Sequence, residues 1–324
     1  MTANFLKLVT SFPDPHEKIY NQENWERDHS NALVVINCQT NNIYYPLHWT
    51  PLSLKTVISG QEHYIIEGRR YTVDQNNFLI LNEGTWYESY IRDGECAESL
   101  TINFNLQAQL AAVNLIAASA AQLIDNNLEV PYVFPEFMLR LYPRTDYFTL
   151  HLQRLRQLVS MQQMDLLAEE TVHQLLADLM KLSVRTSREV DNIVAKKRST
   201  REELYRRLHI AKDFIHSNYA TNISLDLLAK TSYLNSYYLL RAFKSYFGVS
   251  PGQFLIRRRM EVANSLILNT LQPVNQICYA VGYHDLSSFS KLYKDYFKLS
   301  PLQARKFHMR LNLNRLITEE EVIH

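Results

Sequence analysis

No stretch of eighteen consecutive apolar residues occurs in this 324-residue sequence, so no membrane-spanning helix is expected. Cysteine is scarce as well. Cys38, Cys96 and Cys278 are odd in number, far apart and free of any C-x-x-C pair. That argues against a disulfide framework and points to buried free thiols in a reducing compartment. Met1-Thr2-Ala3-Asn4-Phe5-Leu6-Lys7 lacks a basic segment followed by an apolar core, so export is not expected and a cytoplasmic location is. Glycine is limited to seven residues, four of which (Gly60, Gly68, Gly84 and Gly94) lie at turn signals in the first half.

What is present is a hydrophobic fraction of 46% and a charged fraction of 21%, the balance of a soluble globular protein long enough for two domains. The net charge of +1 hides a division. Residues 1–184 hold 12 Lys/Arg against 21 Asp/Glu, whereas residues 185–324 hold 22 against 12. A basic half joined to an acidic one points to a polyanion-binding domain attached to something else.

The basic half also repeats itself. Phe243-Lys244-Ser245-Tyr246-Phe247-Gly248-Val249-Ser250-Pro251 returns as Tyr293-Lys294-Asp295-Tyr296-Phe297-Lys298-Leu299-Ser300-Pro301, fifty residues on. A period near fifty suits one helical supersecondary unit, and two such units suggest paired helix-turn-helix modules. In the first, Ser224 caps a helix over Leu225–Thr231, and Asn235 caps a second over Ser236–Phe247, which Gly248 ends. In the second, Pro273 opens a helix over Val274–Val281, and Asp285 caps another over Leu286–Phe297. A central helix over Gln253–Asn269 carries Arg257, Arg258 and Arg259 on its exposed side and holds the units apart.

Helical geometry sorts the two recognition faces. Leu239, Ala242, Phe243 and Tyr246 turn to the core of the first, leaving Ser236, Tyr237, Leu240, Arg241 and Lys244 outward. Phe289, Leu292, Tyr293 and Tyr296 are core in the second, leaving Leu286, Ser287, Ser290, Lys291 and Lys294 outward. Arg241 can grip a guanine edge with two hydrogen bonds, and Tyr237 or Leu240 can pack on a thymine methyl. The serines and lysines of the second face suit phosphate contacts that fix position. Any one of these residues alone reads as a solvated helix position; the duplication favours double-stranded DNA as the partner.

The first half reads as β. Short Val-, Ile-, Tyr- and Phe-rich runs at Ala32–Cys38, Leu54–Ser59, His63–Ile66, Tyr71–Val73, Phe78–Leu81, Trp86–Ile91 and Leu100–Asn105 alternate with turn signals, as in a sandwich or small barrel. From about Tyr147 the apolar spacing becomes helical, and these faces either cover the barrel or pair across a dimer. Residues 185–201 are basic, with Ser and Thr but no periodic apolar face, and read as a linker. A helix resumes near Glu202, and residues 311–324 read as a loosely held tail.

Residues 204–309 resemble the DNA-binding domain of the AraC/XylS family of bacterial transcription regulators. The likeness runs through Leu225-Asp226-Leu227-Leu228-Ala229-Lys230, Tyr238-Leu239-Leu240-Arg241-Ala242-Phe243-Lys244 and Gly248-Val249-Ser250-Pro251. It continues through Met260-Glu261-Val262-Ala263, Ile277-Cys278-Tyr279-Ala280-Val281-Gly282-Tyr283, Phe289-Ser290-Lys291-Leu292-Tyr293-Lys294 and Leu299-Ser300-Pro301. The resemblance implies base-contacting positions at Tyr237, Leu240 and Arg241, and at Leu286, Ser287, Ser290 and Lys291. Together with the apolar helical faces from Tyr147 on, the expectation is a homodimeric activator that binds near a promoter and contacts RNA polymerase. Tyr233 stands where the family's first turn usually has glycine, and Leu240 where a polar residue is common.

The first half resembles, more loosely, the cupin-like sensor domain of such regulators, through Ser59-Gly60, Tyr64, Glu67-Gly68-Arg69-Arg70-Tyr71-Thr72-Val73 and Phe78-Leu79-Ile80-Leu81-Asn82. This implies a small-molecule effector in a pocket whose lining candidates are Tyr44, Tyr45, Trp49, Tyr64, Trp86 and Tyr87. His63 has no histidine two residues away and Tyr87 replaces the second-motif histidine, so no metal, cofactor or catalytic residue is expected. The expected fold is therefore α+β in two domains: an N-terminal antiparallel β cupin-like barrel with flanking helices, and a C-terminal all-α domain with two helix-turn-helix units. The expected boundaries are 1–146, 147–184, 185–201, 202–310 and 311–324. Two alternatives stay open at this point: a ligand-independent regulatory dimer, and a cupin metalloenzyme fused to a DNA-binding domain.

Overall fold

A computed structural model describes residues 6–10, 32–121, 135–161, 166–193 and 195–321. The chain divides into two compact units, Met1–Arg206 and Arg207–His324.

Among the described residues the first unit has ten strands: β1 (Leu6–Val9), β2 (Leu33–Thr40), β3 (Ile43–Thr50), β4 (Ser53–Ser59), β5 (Gln61–Ile66), β6 (Arg69–Asp74), β7 (Asn77–Leu81), β8 (Thr85–Ile91), β9 (Ala97–Asn103) and β10 (Tyr142–Pro143). They form a six-stranded sheet in the order β1-β2-β9-β4-β7-β10 and a four-stranded sheet in the order β3-β8-β5-β6. Pairing is antiparallel except for β1, which runs parallel to β2.

Period-two alternation gives the larger sheet two buried faces. Leu54, Phe78, Ile80, Leu100 and Ile102 pack against Leu152, Leu155, Val172 and Leu176 of the flanking helices. Val57, Leu79 and Leu81 point the other way, onto Tyr64, Ile66, Val73 and Tyr87. Each such side chain contributes about 1.5–3 kcal/mol when fully buried, so the sheet is fixed in register from both sides.

Among the described residues, three helices flank the sheets: α1 (Leu106–Ala121), α2 (Asp146–Ser160) and α3 (Leu166–Asp191). The Thr145 hydroxyl accepts from the Phe148 amide and so starts α2. The helix α1 is absent from the sequence reading; the Asn105 side chain caps it by accepting from the Ala108 amide at 2.9 Å.

Residues 185–201 are not a structureless linker. Helix α3 continues to Asp191, and α4 (Arg198–Asn218) has begun four residues before the expected Glu202. Basic residues at helical spacing found carboxylates one turn on, Arg185 with Glu189 at 3.5 Å and Arg198 with Glu202 at 2.9 Å, which favours helix over linker. Of the three cysteines, Cys38 and Cys278 are buried as expected, but Cys96 is exposed in the turn before β9.

The second unit is all helix. After α4 come α5 (Leu225–Thr231), α6 (Ser236–Phe247), α7 (Pro251–Asn269), α8 (Val274–Ala280), α9 (Leu286–Phe297) and α10 (Pro301–Glu321). Helix α10 extends through most of the segment expected to be a loose tail. Among the described residues, no helix is long and apolar enough to cross a membrane.

Candidate nucleic-acid interface

The two helix-turn-helix units owe their boundaries to single side chains. Ser224 accepts from the Leu227 amide at 3.1 Å, Asn235 from Tyr238 at 2.7 Å and Asp285 from Ser288 at 2.6 Å, starting α5, α6 and α9. The Ser288 contact holds the Asp285 carboxyl below its ordinary range, so the cap is an anion at neutral pH. Helix α6 ends on Gly248 at φ 77° and α9 on Lys298 at φ 66°, both left-handed. The duplicated Ser-Pro is then a start, not merely a stop. Ser250 and Gln253 form a capping box with Pro251 at the head of α7, and Ser300 and Gln303 exchange the same pair of hydrogen bonds at the head of α10.

Packing fixes which side of each recognition helix is free. In α6, Leu239 and Phe243 are fully buried; in α9, Phe289 and Tyr293 are. The Tyr293 hydroxyl reaches Asn264 of the central helix at 2.6 Å, and its burial pushes its pKa up to about 12. Tyr296, expected in the core, is 44% exposed. Arg258 is likewise not on the solvent side of α7: it is buried, with its guanidinium 5.3 Å from the Tyr219 ring.

On the free side of α6, Tyr237 is 70% exposed and Leu240 39%, with Arg241 and Lys244 open to solvent beside them. The Arg241 guanidinium sits 5.7 Å from the Tyr237 ring, one helical turn apart, so the aromatic face steadies the fork before any partner arrives. Ser236 differs from expectation: it is half-buried and its hydroxyl donates to Asp226 of α5. It braces the turn from inside the unit. On α9, Leu286, Ser287, Lys291 and Lys294 are exposed and Ser290 is half-buried. The first face thus offers a rigid donor fork with an apolar flank, and the second offers hydroxyls and mobile cations.

The turns of the two units are unlike. Tyr233 occupies the left-handed region at φ 57°, and its carbonyl accepts from Arg207 at 2.7 Å. The equivalent position in the second unit is Gly282 at φ 85°.

The aromatic residues expected to line an effector pocket fall into two groups. The β3–β8 register pairs Trp49 with Trp86 and His48 with Tyr87, shifting by a bulge between Tyr45 and His48. Tyr45, Tyr64 and Tyr87 are buried between the sheets, whereas Tyr44 and Trp86 are 45% and 55% exposed and Trp49 is half-buried. Strand alternation excludes the latter from the interior face. The interior is polar at its centre. The buried Lys55 ammonium donates to the Tyr87 hydroxyl at 2.8 Å, and Ser99 donates to the buried Glu62 carboxylate at 2.6 Å. Desolvation lowers the Lys55 pKa to about 8 and raises that of Tyr64 well above its ordinary value. Trp86 instead borders a cleft of about 1030 Å³, shared with Leu47, Glu88, Glu136, Thr186 and Arg206.

Residues 228–306 match a family described as a helix-turn-helix domain. The chain is 33% identical over 102 residues to the lactose operon transcription activator of Staphylococcus xylosus, covering 32% of this chain and 36% of that protein. It is 30% identical over 161 residues to the transcriptional activator RhaS of Enterobacter sp. (strain 638), covering 48% and 54%. Residues 228–306 thus form a helix-turn-helix domain of the AraC type. Among solved structures the chain is similar to the C-terminal domain of the two-component response regulator yesN from Fusobacterium nucleatum, at 31% identity, covering 29% of this chain and 93% of that one with a TM-score of 0.28. The chain matches about a third of the length of the S. xylosus activator, and the likeness lies in the AraC-type DNA-binding domain.

Proposed function

We propose that the protein is a sequence-specific transcription activator that reads two successive major-groove segments as a homodimer, tuned by a small-molecule effector bound to its β-rich half. The observation that carries this reading is the pair of capped recognition helices with unlike exposed faces. Tyr237, Leu240 and Arg241 specify sequence; Leu286, Ser287, Ser290, Lys291, Lys294 and Lys244 hold the duplex by its backbone. Residues 147–184 serve dimerisation. In support, Tyr147, Leu150 and Met161 are exposed by 54%, 62% and 58% at spacings that place them on one side of α2. The bound dimer recruits RNA polymerase in the cytoplasm and performs no catalysis of its own.

The effector is assigned to the β-rich unit, with Tyr45, Tyr64 and Tyr87 at its interior and Trp86 at the outer cleft. A purely regulatory dimer without effector is distinguished by the absence of any thermal shift with a metabolite panel. The function itself is tested by selecting duplexes from random DNA and titrating affinity against salt. Affinity is expected to fall steeply with salt, as phosphate contacts require, and Arg241→Ala is expected to relax the preference at one base pair. Unchanged preference in Arg241→Ala removes that residue from base reading, and salt-insensitive affinity removes the phosphate contacts.

A further inference from the structure

Helix α7 places the Arg259 guanidinium where three parts of the second unit meet. Its Nε donates to the Tyr219 carbonyl at 2.8 Å and its Nη2 to the Thr221 carbonyl at 2.9 Å, just beyond the end of α4. Its flat face lies 5.1 Å from the ring of Tyr283, in the turn between α8 and α9. The next residue back, Gly282, has no room for a side chain: a Cβ there would stand 2.6 Å from the Ala220 carbonyl oxygen and 3.0 Å from Arg259 Nη2. The turn of the second helix-turn-helix therefore abuts the backbone that leads into the first. Arg259 pins both sides. The first turn is held differently, by Arg207 on the Tyr233 carbonyl, and leaves room for a side chain: Tyr233 is 61% exposed. This accounts for glycine in one turn and tyrosine in the other.

An arginine covering carbonyls at a helix end is often only a cap. Here the two carbonyls belong to the approach to the first unit, and the stacked ring belongs to the second. We propose that Arg259 is a positioning residue for tandem DNA reading. It sets the separation and angle of α6 and α9, and so governs which spacing between two major-groove segments the protein accepts. This rests on the reading that both faces enter DNA. Two modules held rigidly gain affinity from simultaneous engagement, and lose that gain when geometry no longer matches. Successive grooves on one face of the duplex are about 34 Å apart, which leaves little tolerance.

The test uses the full chain and duplexes selected by it from random DNA. One set keeps the selected spacing, a second inserts or deletes one or two base pairs between the segments, and a third scrambles the second segment. Wild type is expected to bind the first set far better than the others. Arg259→Met is expected to lose about tenfold or more on the selected spacing and to flatten the spacing profile, since simultaneous engagement alone supplies a factor of roughly a hundred or more. It should bind the scrambled set as wild type does. Arg259→Lys keeps the charge but not the two-pronged reach, and is expected to fall between them while melting like wild type. A wild-type spacing profile in both variants overturns the proposal. So does an equal loss on all three sets, which marks a general folding role. Absence of salt-dependent duplex binding by the wild-type chain overturns instead the function on which the assignment rests.

Discussion

Lys55→Met should make the β-rich unit more stable, not less. Lys55 is 4% exposed, and the Tyr87 hydroxyl at 2.8 Å is the only hydrogen-bond partner of its ammonium among the described residues. Burial brings its pKa from the ordinary 10.5 to about 8, against an opposing pull from Glu62. At 1.36 kcal/mol per pKa unit, the buried charge costs roughly 3 kcal/mol at neutral pH. Methionine keeps the volume and the unbranched stem, and removes the charge together with the hydrogen bond from Lys55 to Tyr87, a loss of about 1 kcal/mol. The net expectation is a gain of about 2 kcal/mol at pH 7.

The pH dependence follows from the same shift. The unfolded lysine keeps its proton to about pH 10.5 while the folded one releases it near 8. Between these values the unfolded chain binds more protons, so the wild type gains stability as pH rises through that window. The advantage of Lys55→Met should therefore shrink from pH 7 to pH 10. Trp25, Trp49 and Trp86 all lie in the first half, so urea unfolding followed by tryptophan fluorescence reports this unit selectively. A variant less stable than wild type at pH 7, with a difference that does not change up to pH 10, refutes the reasoning.

Other expectations concern the second unit. Tyr233→Gly relieves a left-handed tyrosine at φ 57° and should stabilise by up to about 1 kcal/mol, visible as a higher melting temperature of that unit. Asp285→Ala removes the N-cap of α9 and should lower the midpoint of chemical denaturation, more at low salt than at high. Phe243→Ala empties the core side of α6 and should cost about 3–5 kcal/mol, abolishing DNA binding through loss of structure, as circular dichroism would record. Lys291→Ala should weaken binding evenly across sequences and reduce the salt slope by about one, in contrast to Arg241→Ala.

The recognition helices were legible residue by residue because their ends are local chemistry: Ser224, Asn235, Asp285 and Gly248 each act within four positions of themselves. Strand β3 escaped notice because Pro46 and a bulge break its alternation; as an edge strand it tolerates both. Helix α1 carries apolar and alanine residues all round, so no stripe marks it. The engagement of Ser236 by Asp226 and the grip of Arg259 on Tyr219 and Thr221 span ten and about forty residues, distances at which spacing carries no signal. Cys96 came out exposed for a similar reason: cysteine is apolar by default, and only the turn before β9 places it at the surface. Among the six aromatic candidates, Tyr44/Tyr45 and Trp86/Tyr87 split by simple alternation, but the side taken by Trp49 hinged on a one-residue bulge, which sequence alternation alone does not reveal.

The most direct test of tandem reading is a methylation-interference footprint of the full chain on a selected duplex. Two major-groove windows about one helical turn apart, on one face of the DNA, are expected, with interference at one guanine of the first lost in Arg241→Ala and the second window unchanged. A single window, unaffected by changes to α9, would contradict the claim that both helices enter the duplex.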